Sequence, residues 1–195
     1  MFAAIAGFSA GLIHVFSGPD HLAAVAPFAA DQDRGQWRAG FRWGLGHTIG
    51  VLLIGLLLVT IGTVLPIQAV SAYSERLVGL MLIAVAIWAF RRARSPHSHH
   101  HADAGASFGV GVLHGVAGSS HLFGLLPGLA LPSPGDQLLY LGAYGAAVIV
   151  GMTAYACLVG LLAMSTAFRS VTGYRGLLYA CSLSALLVGG FWLAG

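Results

Sequence analysis

Charge is scarce in this chain: charged residues occupy 8% of its 195 positions, and every one of the nine basic residues is an arginine. A soluble domain carries about a quarter charged residues, so nine arginines and six acids cannot coat a water-soluble fold of this length. Hydrophobic residues make up 57% of the sequence and mean hydropathy is +0.84, so most of the exterior must face lipid. A net charge of +3 could suggest a polyanionic partner, but the arginines are scattered among polar breaks, and nucleic acid is not expected to bind.

Thiols are scarce too. Cys157 and Cys181 stand in separate apolar runs with no C-x-x-C, which excludes a redox pair or a zinc knuckle and leaves buried thiols as their reading. There is no P-loop to supply ATP energy and no H-E-x-x-H zincin signature, and the "GSSH" segment at 118–121 lacks the wider context of a serine protease site. Catalysis is therefore not expected. The N-terminus lacks the basic region and cleavage site of a signal peptide, so the first apolar run is expected to remain as a membrane span.

What the chain has in quantity is long apolar runs, near 2–30, 38–65, 73–91, 105–132, 136–166 and 172–194. A spanning helix needs about 20 such residues, so six spans are the simplest count. The two halves also match without gaps at an offset of 100. "FSAGLIHVFSGPDHLAAVAP" (8–27) lies over "FGVGVLHGVAGSSHLFGLLP" (108–127), with Gly11/Gly111, His14/His114, Gly18/Gly118, His21/His121 and Pro27/Pro127 among the identities. Three spans per half force the second half to enter from the opposite side. The fold expected is an all-α integral membrane protein of six transmembrane helices, arranged as two inverted three-helix repeats with the first helix of each repeat broken. The repeats are 1–91 and 105–195, joined by a His-rich cytoplasmic loop at 92–104. Arginine placement agrees with this count: the first, third and fifth breaks hold Arg34, Arg38, Arg42, Arg91, Arg92, Arg94, Arg169 and Arg175, and the second holds only Arg76. Positive residues collect in cytoplasmic loops, so both termini are expected outside the cytoplasm.

Five histidines (His14, His21, His47, His114 and His121) and one acid, Asp20, fall in the interior of the apolar runs, away from their ends. An aspartate there costs about 2.5–3.5 kcal/mol on insertion scales, and such groups face a bundle interior or a pathway. His14 and His21 are seven apart, two helical turns, and are expected to share a face with Asp20 beside it. Pro19 between them lacks an N–H and would clash with the Val15 carbonyl of a regular helix, so the helix should kink or unwind at Gly18-Pro19. Gly118-Ser119-Ser120 occupies the equivalent place. Broken helices at membrane depth are where transporters put ion sites. Imidazole with a carboxylate suits borderline divalent metals such as Ni²⁺, Co²⁺ and Zn²⁺, and the lack of nearby thiolates argues against copper(I). The candidate ligands are His14, Asp20, His21, His47, His114 and His121. His47 reads equally well as an interhelical hydrogen-bond donor, and Asp20 as a proton carrier. His97, His99, His100 and His101 form a loop tract that could buffer or sense metal, or simply be solvated linker.

The segment "GLIHVFSGPDHLAAVAP" followed by "GLGHTIGVLL" resembles the nickel/cobalt permease superfamily, especially its short urease-accessory, UreH-like branch. Larger members carry His, four residues, Asp-His in one helix and Leu-Gly-His-Ser/Thr in the next. The first corresponds to His14, Asp20 and His21, with five residues rather than four before Asp20, and the second to Leu45, Gly46, His47 and Thr48. The later acidic signature segments of the larger permeases are not recognisable. The resemblance implies metal selection by these residues, with nickel or cobalt as cargo and no prosthetic group. It also implies a multi-pass protein of a bacterial inner or plasma membrane, able to form a homo-oligomer or to work with metalloenzyme maturation proteins. An accessory subunit or metal chaperone is the alternative reading. A thiol-electron carrier is a related fold, but would need cysteines where Gly-Pro-Asp and Gly-Ser-Ser stand.

Overall fold

The computed structural model describes residues 1–31, 35–61, 67–94, 104–117, 121–165 and 170–194. The His tract at 97–101, the Gly118-Ser119-Ser120 break, and Arg34 and Arg169 lie outside the described residues. An apolar chain in lipid must satisfy its backbone polar groups internally, and among the described residues it does so with helices alone: α1 (Phe2–Ser17), α2 (Pro19–Ala30), α3 (Trp37–Ile61), α4 (Ile67–Arg94), α5 (Ala104–Ala117), α6 (His121–Leu129), α7 (Pro134–Ala163) and α8 (Val171–Ala194). Four of these are long and apolar enough to cross a membrane, within α3, α4, α7 and α8, and α1 with α2 makes a fifth, bent by 74°. The protein is an all-α membrane protein. The apolar run at 105–132 is divided between α5, 14 residues long, and α6, nine, each shorter than a span.

Glycine decides which helices meet. α1 packs on α7 and α5 on α3, with further contact between α3 and α7 and between α4 and α8. Gly7 and Gly11 of α1 lie against the backbone of Tyr140 and Tyr144, where a Cβ would strike the carbonyls. On α5, Gly111 and Gly115 lie in the same way against Trp43 and His47 of α3. Small residues that let backbones approach are the usual membrane substitute for a hydrophobic driving force. One turn before Gly111, the buried Ser107 hydroxyl donates to the Ala39 carbonyl over 2.7 Å. Ser107→Ala should cost about 1 kcal/mol, read as a lower unfolding midpoint in detergent. An unchanged midpoint would mean that the α3–α5 contact rests on the glycines alone.

α2 is buried nearly all round: of its 12 residues, only Pro19 and Leu22 are not. A helix buried on nearly every face belongs in a core, and five alanines keep this one thin enough to lie among α3, α4, α7 and α8. Pro27 is inside α2 and buried, without ending it. At its C-terminus the Asp31 carboxylate, wholly buried, receives Arg92 Nε of α4 at 2.6 Å and the Tyr174 hydroxyl of α8. This knot gathers the ends of α2 and α4 and the start of α8 at one end of the bundle. At the other end, Gln137 Nε2 near the start of α7 donates to the carbonyls of Leu129 and Leu131, 3.1 and 2.8 Å away.

Candidate metal centre

The chain breaks at Gly18 for reasons that are local. Gly18 adopts an extended conformation (φ −93°, ψ 97°) and Pro19 opens α2 at its first helical position, where a missing N–H costs nothing and the ring's fixed φ suits a helix. Asp20 follows in the first turn, where the helix dipole favours an acid. The break was expected; its geometric consequence was not. His14 and His21 do not meet as residues two turns apart on one helix face. They meet because the 74° bend folds the start of α2 back toward the last turn of α1, leaving the two Nε2 atoms 2.9 Å apart.

From there the contacts run as a chain. His21 Nδ1 lies 3.0 Å from Asp20 Oδ1, which also accepts the His21 backbone N–H at 3.1 Å. Asp20 Oδ2 lies 3.2 Å from His114 Nε2 of α5. His47, delivered by α3, completes the group: its ring centroid is 5.1 Å from that of His21, 5.6 Å from His14 and 5.7 Å from His114. Two triads have ligand atoms within 4.8 Å of one another, His14 with His21 and His47, and Asp20 with His21 and His114. The structure therefore brings together five of the six candidate residues, drawn from α1, α2, α3 and α5. The sixth, His121, opens α6, but its side chain lies outside the described residues. His21, His47 and His114 are at most 1% exposed and Asp20 is 5% exposed, while His14 is half-buried and forms the accessible edge.

Sequence reasoning missed two aromatic walls. Trp43 is fully buried and stacks flat on His47 (centroids 4.8 Å, planes 9° apart), with His21 and His114 at 5.4 and 5.3 Å. Its signal was present, since Trp43 and His47 are four apart on one helix face. Tyr144 of α7 faces His14 at 5.6 Å, and its hydroxyl side lies on Gly124 of α6. No local pattern pointed to it. Neither the Trp43 indole N–H nor the Tyr144 hydroxyl has a hydrogen-bond partner among the described residues. The residues matching the second family motif divide their work. Gly46 lets α5 approach, His47 enters the cluster, and the Thr48 hydroxyl donates to the Gly145 carbonyl at 3.4 Å.

A buried set of imidazoles beside one carboxylate, in a lining otherwise aromatic and apolar, has the donor chemistry of a site for a borderline divalent cation. Each imidazole supplies a nitrogen without adding charge, and Asp20 supplies the one negative charge in the group.

No family model matches the chain, and no solved structure matches it. Among curated proteins it is similar to two from Arabidopsis thaliana. Chloroplast protein FOR GROWTH AND FERTILITY 2 is 30% identical over 94% of this chain and 54% of its own length, and chloroplast protein FOR GROWTH AND FERTILITY 1 is 29% identical over 79% and 48%. The chain thus spans about half the length of these two relatives. It is also similar to the urease accessory protein UreH of Bacillus sp. (strain TB-90), 28% identical over 86% of this chain and 84% of that protein.

Proposed function

We propose that this protein carries a divalent transition-metal ion, nickel or cobalt, across the membrane through the His/Asp cluster at the break between α1 and α2. The observation that carries the reading is the convergence of His14, Asp20, His21, His47 and His114 in a buried group drawn from four helices. Ionisable groups at membrane depth are expensive to bury and are kept where an ion passes. The cation reaches His14 at the accessible edge, exchanges water for imidazole, and is released when the bundle rearranges. With no P-loop in the chain, the drive comes from ion gradients, membrane potential or a partner.

Six spans in two inverted repeats is the arrangement we assign, counting α5 with α6 as one broken span. Its support is a shared packing register. Gly7 sits on Tyr140 and Gly11 on Tyr144, as Ser107 sits on Ala39 and Gly111 on Trp43. The helix pairs correspond, α1 on α7 matching α5 on α3. The two half-helices differ, however: α2 is enclosed by α3, α4, α7 and α8, whereas α6 packs chiefly on α7 and α1. Unequal halves suit a carrier that exposes its site to one side at a time, the two halves exchanging roles as it turns over. The knot of Asp31, Arg92 and Tyr174 sets the first, third and fifth breaks at one end, which supports a cytoplasmic assignment for that end and an external one for both termini.

Flux of nickel, cobalt and zinc into proteoliposomes holding the purified chain tests the proposal. Saturable uptake that falls at least tenfold in His21→Ala is expected. Absent flux with metal binding retained would replace transport by an accessory role in metalloenzyme maturation, the second reading, which the likeness to the Bacillus urease accessory protein favours.

A further inference from the structure

The five side chains need not all touch the cation, and their hydrogen bonding separates them. We infer that His14, His21 and His47 are the ligands, and that Asp20 is a positioning residue that fixes the orientation and proton arrangement of His21. This rests on the metal-site reading above and sharpens it.

A carboxylate accepts hydrogen bonds and donates none. Asp20 Oδ1 lies 3.0 Å from His21 Nδ1 and 3.1 Å from the His21 backbone nitrogen, so the Nδ1 proton of His21 points at Oδ1. A neutral imidazole holding its proton on Nδ1 has its lone pair on Nε2. That lone pair accepts the His14 Nε2–H over 2.9 Å, a proton that His14 shifts to Nδ1 when it binds through Nε2, and the His14, His21 and His47 ligand atoms lie within 4.8 Å of one another. Carboxylate, histidine and metal in series is a recurrent arrangement in which the carboxylate orients the ring and raises its basicity without binding the ion.

The competing triad of Asp20, His21 and His114 is less suited to capture. Its three members already hold one another, Asp20 Oδ1 with His21 Nδ1 at 3.0 Å and Asp20 Oδ2 with His114 Nε2 at 3.2 Å. All three of its members are buried, whereas the first triad contains half-buried His14, which an arriving ion meets first. His114, 3.2 Å from Oδ2, joins Asp20 in the supporting shell. Trp43, stacked on His47, holds that ring in place.

Cobalt(II) added to the purified full chain in detergent is the probe, because its visible bands report the ligand set separately from affinity. Asp20→Asn keeps an oxygen that can accept the His21 Nδ1 proton but removes the charge. The bands should keep their positions and shape while affinity falls about 10–100-fold. His114→Ala should likewise keep the bands. His47→Ala removes a ligand and should change them. The assignment is overturned if Asp20→Asn or His114→Ala alters the bands as His47→Ala does, or if Asp20→Asn leaves affinity unchanged. If the unaltered protein gives no cobalt spectrum, the metal reading itself fails and this assignment with it. Because His114 lies on another helix and belongs only to the competing triad, its variant decides between the triads even if Asp20→Asn does not fold.

Discussion

Gly18→Ala is expected to weaken metal binding by about 100-fold, at the upper end of what disturbing a supporting shell does, while leaving the helical bundle intact. The reason is steric and local. A Cβ at Gly18 would fall on His21 Nδ1, 2.8 Å from its Cε1 and 2.9 Å from Asp20 Oδ1. The backbone itself would accept alanine, since φ −93° is open to any residue. What alanine cannot tolerate is the imidazole lying over the break. The ring must rotate away, lose the Asp20 contact and turn its Nε2 from His14. Cobalt or nickel titration against the purified variant measures the loss, and circular dichroism with a thermal melt shows whether the fold survives. Unchanged affinity would mean that the ring does not lie against Gly18, which would undo the geometry of the whole cluster.

Asp31→Ala should be the most destabilising single change outside the His/Asp cluster, by about 3 kcal/mol, the low end of what breaking a buried ion pair costs. Asp31 is wholly buried, and the substitution takes a carboxylate from Arg92, whose side chain is 10% exposed, and from the Tyr174 hydroxyl. The low end applies because Arg92 stands in the last turn of α4 and a long guanidinium side chain can reach toward water at the membrane boundary. Tyr174→Phe removes one donor and should cost about 1 kcal/mol. The unfolding midpoint in detergent, measured for both single variants and the double, reads these energies and the coupling between them. Equal, negligible losses would show that apolar packing of α2 alone holds it among its neighbours. A marked loss in Asp31→Ala with cobalt affinity retained would establish that the far end of α2 is an anchor separable from the site at its start.

Both changes act at the ends of the same short helix, and α2 is where sequence and structure diverge most. Gly18-Pro19 announces its start, because proline has one comfortable place in a helix and that place is the first turn. The alanines say that it can be thin. Nothing local says that it turns by 74°, or that it ends on an arginine 61 residues away and a tyrosine 143 away. The pairing of His14 with His21 was legible in outline, but through a different geometry: spacing along one helix suggested a shared face, and the bend supplied the contact instead. Asp20 was legible as an intramembrane acid, yet its role beside His21 depends on a distance that no sequence states.

The repeat shows the same division. Offset-100 matching paired His14 with His114 and His21 with His121, and the packing of Gly11 and Gly111 follows that pairing. On the next helix the register slips by one: Gly111 rests on Trp43 and Gly11 on Tyr144, an offset of 101. By that register Val148 stands where His47 does, so the second half has no counterpart to the histidine of α3. A gapless comparison of the two halves could not show this.

The sequence by itself determined the solvent, the helical class, the break at Gly18-Pro19 and the presence of imidazoles and a carboxylate within the apolar runs, because each follows from composition, from proline's missing N–H, or from the order of residues along the chain. Only the tertiary structure decided which histidines meet, which aromatic rings enclose them and where Asp31 anchors α2. Those outcomes depend on how closely helices far apart in the chain can approach, which is set at the crossings by paired surfaces that a single segment of sequence does not contain.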